Sequence, residues 1–85
     1  NALATQLAAG LQQRGLSMLQ PVQANEVFAA MPATMIAALH AAGFEFYQWP
    51  APPGQTLPVV RLVTAYDMGA SDVEALLRAI SVAQR

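Results

Sequence analysis

The chain has no lysine, no cysteine, a single histidine and few charges of either sign among its 85 residues. Without cysteine there are no disulfides and no thiol chemistry, which fits a reducing cytoplasm. Without lysine the only cations are Arg14, Arg61, Arg78 and Arg85, scattered along the chain. They form no basic stripe to neutralise phosphates, so no nucleic-acid partner is expected. His40 is the sole imidazole, and Glu26, Glu45, Asp67, Asp72 and Glu74 show no ligand spacing, so no metal site is expected either. Long apolar runs are missing as well. None approaches the ~20 residues of a membrane span, and no membrane association is expected. The glycines at 10, 15, 43, 54 and 69 are isolated, and none builds a loop that cradles phosphate. A chain that opens on "NALATQL", without a starting methionine or a signal peptide and already helical in pattern, is expected to belong to a longer polypeptide.

What is present is apolar. Hydrophobic residues make up 55% of the chain and charged ones 11%, against roughly 25% charged in an ordinary soluble domain. Eighty-five residues make one small domain, which buries a modest share of its surface and is marginal alone. Two explanations of the excess stay open: the many alanines, or a face that something else covers. Phe44, Phe46, Tyr47, Trp49 and the run at 59–63 do not fit on one side of so thin a domain.

The spacing predicts a helix over residues 1–14, with Leu3, Leu7 and Leu11 every fourth residue and Gly15 as the stop. "LSMLQ" (16–20) and "NEVFAA" (25–30) read as short strands. Pro32 suits the first turn of a second helix reaching about Ala42, with Met35, Ile36 and Leu39 inward and Gly43 as cap. "FEFYQW" (44–49) alternates as a strand, Tyr47 and Trp49 on one face and Phe44 and Phe46 on the other. "PAPPGQT" (50–56) is a loop leading through Pro58 into a strand at 59–64. Ser71 with Glu74 reads as a capping box before a last helix carrying Val73, Leu76, Leu77 and Ile80. Helix, two strands, helix, two strands, helix implies an α+β two-layer sandwich. A small, mostly antiparallel sheet of three to four strands would carry its helices on one face and leave the other bare.

Among single residues, Asp72 and Glu74 are explained by the helix dipole, and His40 by the last turn of its helix. Tyr47 and Trp49 suit an interface but name no ligand. Arg61 stands apart, because it sits in "VVRLV" on the same face as Val59 and Val63, and a guanidinium cannot escape burial by losing its proton. Two readings follow from the residue type. Arg61 pairs with Glu26, Glu45 or Asp67 at the sheet rim, or its fork of donors grips a carboxylate or phosphate in two parallel hydrogen bonds.

The ordered set "NALATQLAAGL", "VQANEVFAAMP", "AAGFEFYQWP" and "VRLVTAYD", followed by an amphipathic helix, resembles the C-terminal small domain of the low-specificity L-threonine aldolases. These belong to the aromatic beta-eliminating lyase and threonine aldolase family of pyridoxal-phosphate enzymes. The resemblance covers essentially all of residues 1–85, and "RLVT" after "GFEFYQW" carries most of its weight. It implies the small domain of a two-domain, fold-type I enzyme whose large domain, absent from this chain, holds pyridoxal 5'-phosphate on a lysine. With no lysine here, the chain alone is expected to bind no cofactor and to be inactive.

The resemblance further implies that Arg61 binds the substrate's α-carboxylate and so orients the amino acid for cleavage of its Cα–Cβ bond, threonine giving glycine and acetaldehyde. It assigns no catalytic or cofactor-binding residue to this chain. The implied partners are the large domain of the same polypeptide, through an apolar sheet face, and further copies in a homodimer or homotetramer. An autonomous interaction or regulatory module is the alternative of a different class. The small domain of another fold-type I enzyme, an aminotransferase or a desulfurase, is the alternative within the fold.

Overall fold

The computed structural model describes residues 1–65 and 68–85. Three helices lie on one face of a four-stranded antiparallel sheet. In chain order the elements are α1 (Ala2–Gln13), β1 (Ser17–Met18), β2 (Glu26–Ala30), α2 (Ala33–Ala41), β3 (Tyr47–Trp49), β4 (Val59–Val63) and α3 (Ala70–Ala83). This is the expected α+β sandwich, in the expected order.

The strands lie in the order β1-β2-β4-β3. Both β2 and β3 run antiparallel to β4 and therefore parallel to each other. Parallel strands cannot be joined by a tight hairpin, and α2 makes the crossover between them. The central pair β2–β4 aligns Phe28 with Arg61 and Ala30 with Val59, and on the other side β3 sets Tyr47 beside Arg61 and Trp49 beside Val59. Side chains alternate across a sheet. Val27, Ala29, Val60 and Leu62 therefore face the helices and join Leu7, Leu11, Met35, Leu39, Val73 and Ile80 in one core.

The edge strands are shorter than the sequence pattern implies. "LSMLQ" contributes only Ser17–Met18, and "FEFYQW" pairs only from Tyr47. Gly43, at φ +98°, turns the chain out of α2, and Phe44 and Phe46 then pack against the core from outside the ladder. Short edges resist pairing with other chains.

A second difference concerns α3. The helix starts at Ala70, so its cap is Gly69 rather than Ser71. The Asp72 carboxylate accepts a hydrogen bond from the Gly69 N–H at 2.8 Å. Asp72 therefore holds the reach-back position of a capping box, which the sequence pattern gives to Glu74. At the other end of the chain, the Asn1 side chain accepts from the Leu3 and Ala4 N–H groups and caps α1.

The contact of α1 with α3 depends on Gly10. A Cβ there would meet three carbons of the buried Leu77 side chain, including Cγ at 3.1 Å. Beside this close approach, Arg14 Nε donates to the Leu77 carbonyl and to Ser81 Oγ, both at 2.9 Å, and Nη1 donates to the Gly10 carbonyl at 3.0 Å. Gln84 returns a bond to the Arg14 carbonyl at 2.8 Å. One arginine thus ties the two helices where glycine lets them meet.

Two stability outcomes follow. Gly10→Ala gains about 1 kcal/mol of helix propensity. It loses more by overpacking, about 1–3 kcal/mol, because the clash reaches Leu77 Cγ and not just the mobile methyls. The urea midpoint should fall. Asp72→Ala should cost about 1 kcal/mol through the lost cap while Glu74→Ala stays close to neutral, a ranking that the same unfolding curves read directly.

Candidate functional site

Arg61 emerges on the face of the sheet opposite the helices. Its strand neighbours Val60 and Leu62 point into the core, which leaves Val59, Arg61 and Val63 on the far side. The register brings Phe28 and Tyr47 to either flank of Arg61, with Trp49 one pair further along. This face is not bare. Phe28 and Val59 are buried, and Leu19, Gln20, Trp49, Pro50 and Pro52 line a hollow of about 260 Å³ around them. Tyr47 at 67% exposure and Trp49 at 47% stay open, so the proline-rich loop covers only one end.

The Arg61 guanidinium has two partners here. Its Nε donates to Glu26 Oε1 at 2.8 Å, and its Nη2 donates to the same oxygen. Glu26 lies opposite Val63 in the ladder, so the pair is diagonal, a separation that two long side chains bridge. The guanidinium carbon also stands 5.6 Å from the centroid of the Trp49 ring, within cation–π range. Trp49 in turn meets the Phe28 ring edge-on at 5.4 Å between centroids. The ion pair that the residue type allowed is therefore formed, with Glu26. Glu45 is exposed and makes no bond to Arg61, and Asp67 lies outside the described residues.

The pair leaves part of the fork unused. Glu26 takes the edge formed by Nε and one Nη2 hydrogen. The opposite edge, Nη1 with the second Nη2 hydrogen, has no hydrogen-bond partner among the described residues. The two side chains are 30% and 29% exposed, so the pair is open to solvent and to whatever docks on this face. Such an edge matches a second carboxylate in a bidentate grip.

A clamp below the pair fixes where Glu26 begins its strand. The Gln23 and Glu26 backbones exchange hydrogen bonds around a tight turn in which Ala24 takes φ +51°. The Thr64 N–H donates to the Asn25 carbonyl at 2.9 Å, the buried Thr64 hydroxyl joins it at 3.2 Å, and Asn25 Nδ2 returns a bond to the Thr64 carbonyl at 3.3 Å. Glu26 and Arg61 are thus held on two strands locked together beside them. No local pattern marks Asn25, Thr64 or the approach of Trp49 to Arg61, because only the register makes them neighbours.

His40, the other candidate side chain, packs locally. Among the described residues His40 bonds to no acid; its Nδ1 lies 2.9 Å from the Phe44 carbonyl and its ring stacks on Phe46 at 4.4 Å. Among the described residues no cluster of acids and histidine could hold a metal, and no helix is long and apolar enough to cross a membrane.

The ion pair itself should contribute little to stability. Both side chains are partly solvated, and exposed pairs are worth about 1 kcal/mol or less. Arg61→Ala should therefore lower the unfolding free energy by about that much, and high salt should shrink the difference.

No protein-family model matches the chain, and no curated protein matches it. Solved structures do. Threonine aldolase of Leishmania major matches 99% of the chain with a TM-score of 0.71 and 27% identity. SPT, in a structure with PLP as internal aldimine, matches 99% with a TM-score of 0.81 and 18% identity, a likeness of fold alone. The chain spans 23% of the length of each. Along its whole length it is similar to one segment of threonine aldolase, and its fold is that of the small domain of fold-type I pyridoxal-phosphate enzymes.

Proposed function

We propose that this chain is the C-terminal small domain of a pyridoxal-phosphate-dependent lyase resembling threonine aldolase, and that Arg61 binds the α-carboxylate of its amino-acid substrate. The observation that carries the reading is the edge of the Arg61 guanidinium on the helix-free face that has no hydrogen-bond partner among the described residues. A permanent cation with two parallel donors there can fix a carboxylate in one orientation. The likeness to threonine aldolase, at 27% identity, supports aldol cleavage over the other reactions of the fold.

The residues present do not fit the cofactor itself. Lysine is absent from all 85 positions, and no glycine-rich loop offers a phosphate cradle. Pyridoxal phosphate supplies an electron sink when bound, and in this reading it is held by a large domain outside the chain. The part played by this chain is confined to the substrate. Arg61 pins one end of the amino acid, so that the bond to be broken keeps a fixed angle to the reacting ring. Tyr47 and Trp49, exposed beside Arg61, supply amphipathic rings of the kind that line interfaces, and they fit docking of the large domain over this face. That docking would lower the local dielectric and strengthen the grip of Arg61 on a carboxylate.

The same exposed rings are what favour the second reading, an autonomous module that pairs with another protein. The coding sequence upstream separates the two. A lysine at a strand end in a preceding α/β domain supports the enzyme, and a start codon directly before Asn1 supports the module.

In the full-length protein, Arg61→Ala should leave the cofactor absorbance intact. It should weaken amino-acid binding by about 2–5 kcal/mol, the cost of truncating one partner of a hydrogen-bonded charge pair. Unchanged saturation by threonine in that variant would remove Arg61 from the substrate site.

A further inference from the structure

Glu26 opposes the expected role of Arg61, because a carboxylate already on the guanidinium should compete with an incoming one. The geometry points the other way. Glu26 Oε1 occupies only the Nε side of the fork, and a guanidinium offers a second bidentate edge at Nη1 and Nη2. A free arginine side chain rotates about several bonds, and a ligand that must immobilise it loses affinity. Here the immobilisation is already made. Glu26 fixes the Nε end, the Trp49 ring lies 5.6 Å from the guanidinium carbon, and Phe28 meets Trp49 edge-on. The anchor is itself anchored, since Glu26 follows the turn at Ala24 and the Asn25–Thr64 bonds tie its strand to that of Arg61.

We propose that Glu26 is a positioning residue, which holds Arg61 with its Nη1–Nη2 edge presented to the substrate carboxylate. This rests on the reading of Arg61 given above. Glu26 touches neither substrate nor cofactor and acts only through the arginine.

The test uses the full-length enzyme, with KM and kcat for threonine and the dissociation constant for glycine read from cofactor absorbance. Glu26→Met keeps the length of the side chain and its packing but has no oxygen to accept from Arg61. Glu26→Gln keeps an accepting oxygen without the charge. Loss of positioning should raise the threonine KM and the glycine dissociation constant about tenfold in Glu26→Met, the scale of one hydrogen bond to a charged group. The change in kcat should be small, because the carboxylate is gripped alike before and during the reaction. Glu26→Gln should recover most of that loss, which a purely electrostatic role would not allow, and a purely packing role would leave Glu26→Met without the loss.

Arg61→Ala is run beside them to separate the two ideas. If Arg61→Ala weakens binding while Glu26→Met leaves it unchanged or tightens it, the positioning role is wrong and the function stands. If Arg61→Ala itself binds normally, both fall. Should Glu26→Met not fold, Glu26→Ala replaces it with the same expected direction.

Discussion

A charge that cannot be neutralised sits in the middle of an apolar sheet, and the arrangement around it follows from that constraint. Arg61 occupies the central position of β4, with β2 on one side and β3 on the other. Burying it toward the helices would place a bare cation in a core made of leucine, isoleucine, valine, methionine and alanine. Strand alternation sends it to the opposite face instead. There a carboxylate reaches it diagonally, an indole ring lies 5.6 Å from its guanidinium carbon, and the pair stays partly open to solvent.

The helical layer makes this possible from behind. Gly10 lets α1 approach α3, and the Arg14 side chain closes that contact with three hydrogen bonds to α1 and α3. These helices, with α2, cover Val27, Ala29, Val60 and Leu62. The strands are then pinned by one face, and the other is covered only at the end where Phe28 and Val59 are buried. The two arginines with resolved roles differ in the kind of acceptor they meet. Arg14 spends its donors on backbone carbonyls and a hydroxyl within the helical layer, whereas Arg61 meets a carboxylate on the opposite face.

Most of the fold was legible along the chain, for local reasons. Leucines every fourth residue, a proline at the head of α2 and glycines at positive φ after α1 and α2 are signals carried within a few residues. The start of α3 was not legible. Ser71–Glu74 and Gly69–Asp72 have the same spacing, and a glycine cap has no side chain to advertise it. The extent of β3 was hidden as well, because Phe44 and Phe46 alternate like a strand but satisfy the core from outside it.

The sequence by itself determined the order of the elements, their amphipathic faces, and the isolation of one arginine among valines and leucine. Those properties depend on near neighbours, and the periods of helix and strand translate them directly. Tertiary structure alone decided which acid among the described residues meets Arg61, that Trp49 lies near its guanidinium, and which edge of the fork that acid takes. Glu26 and Arg61 are 35 positions apart, and their meeting depends on the register of two strands that no local pattern specifies. Register is a property of the whole packed sheet, since a slip of one residue would turn Arg61 into the core.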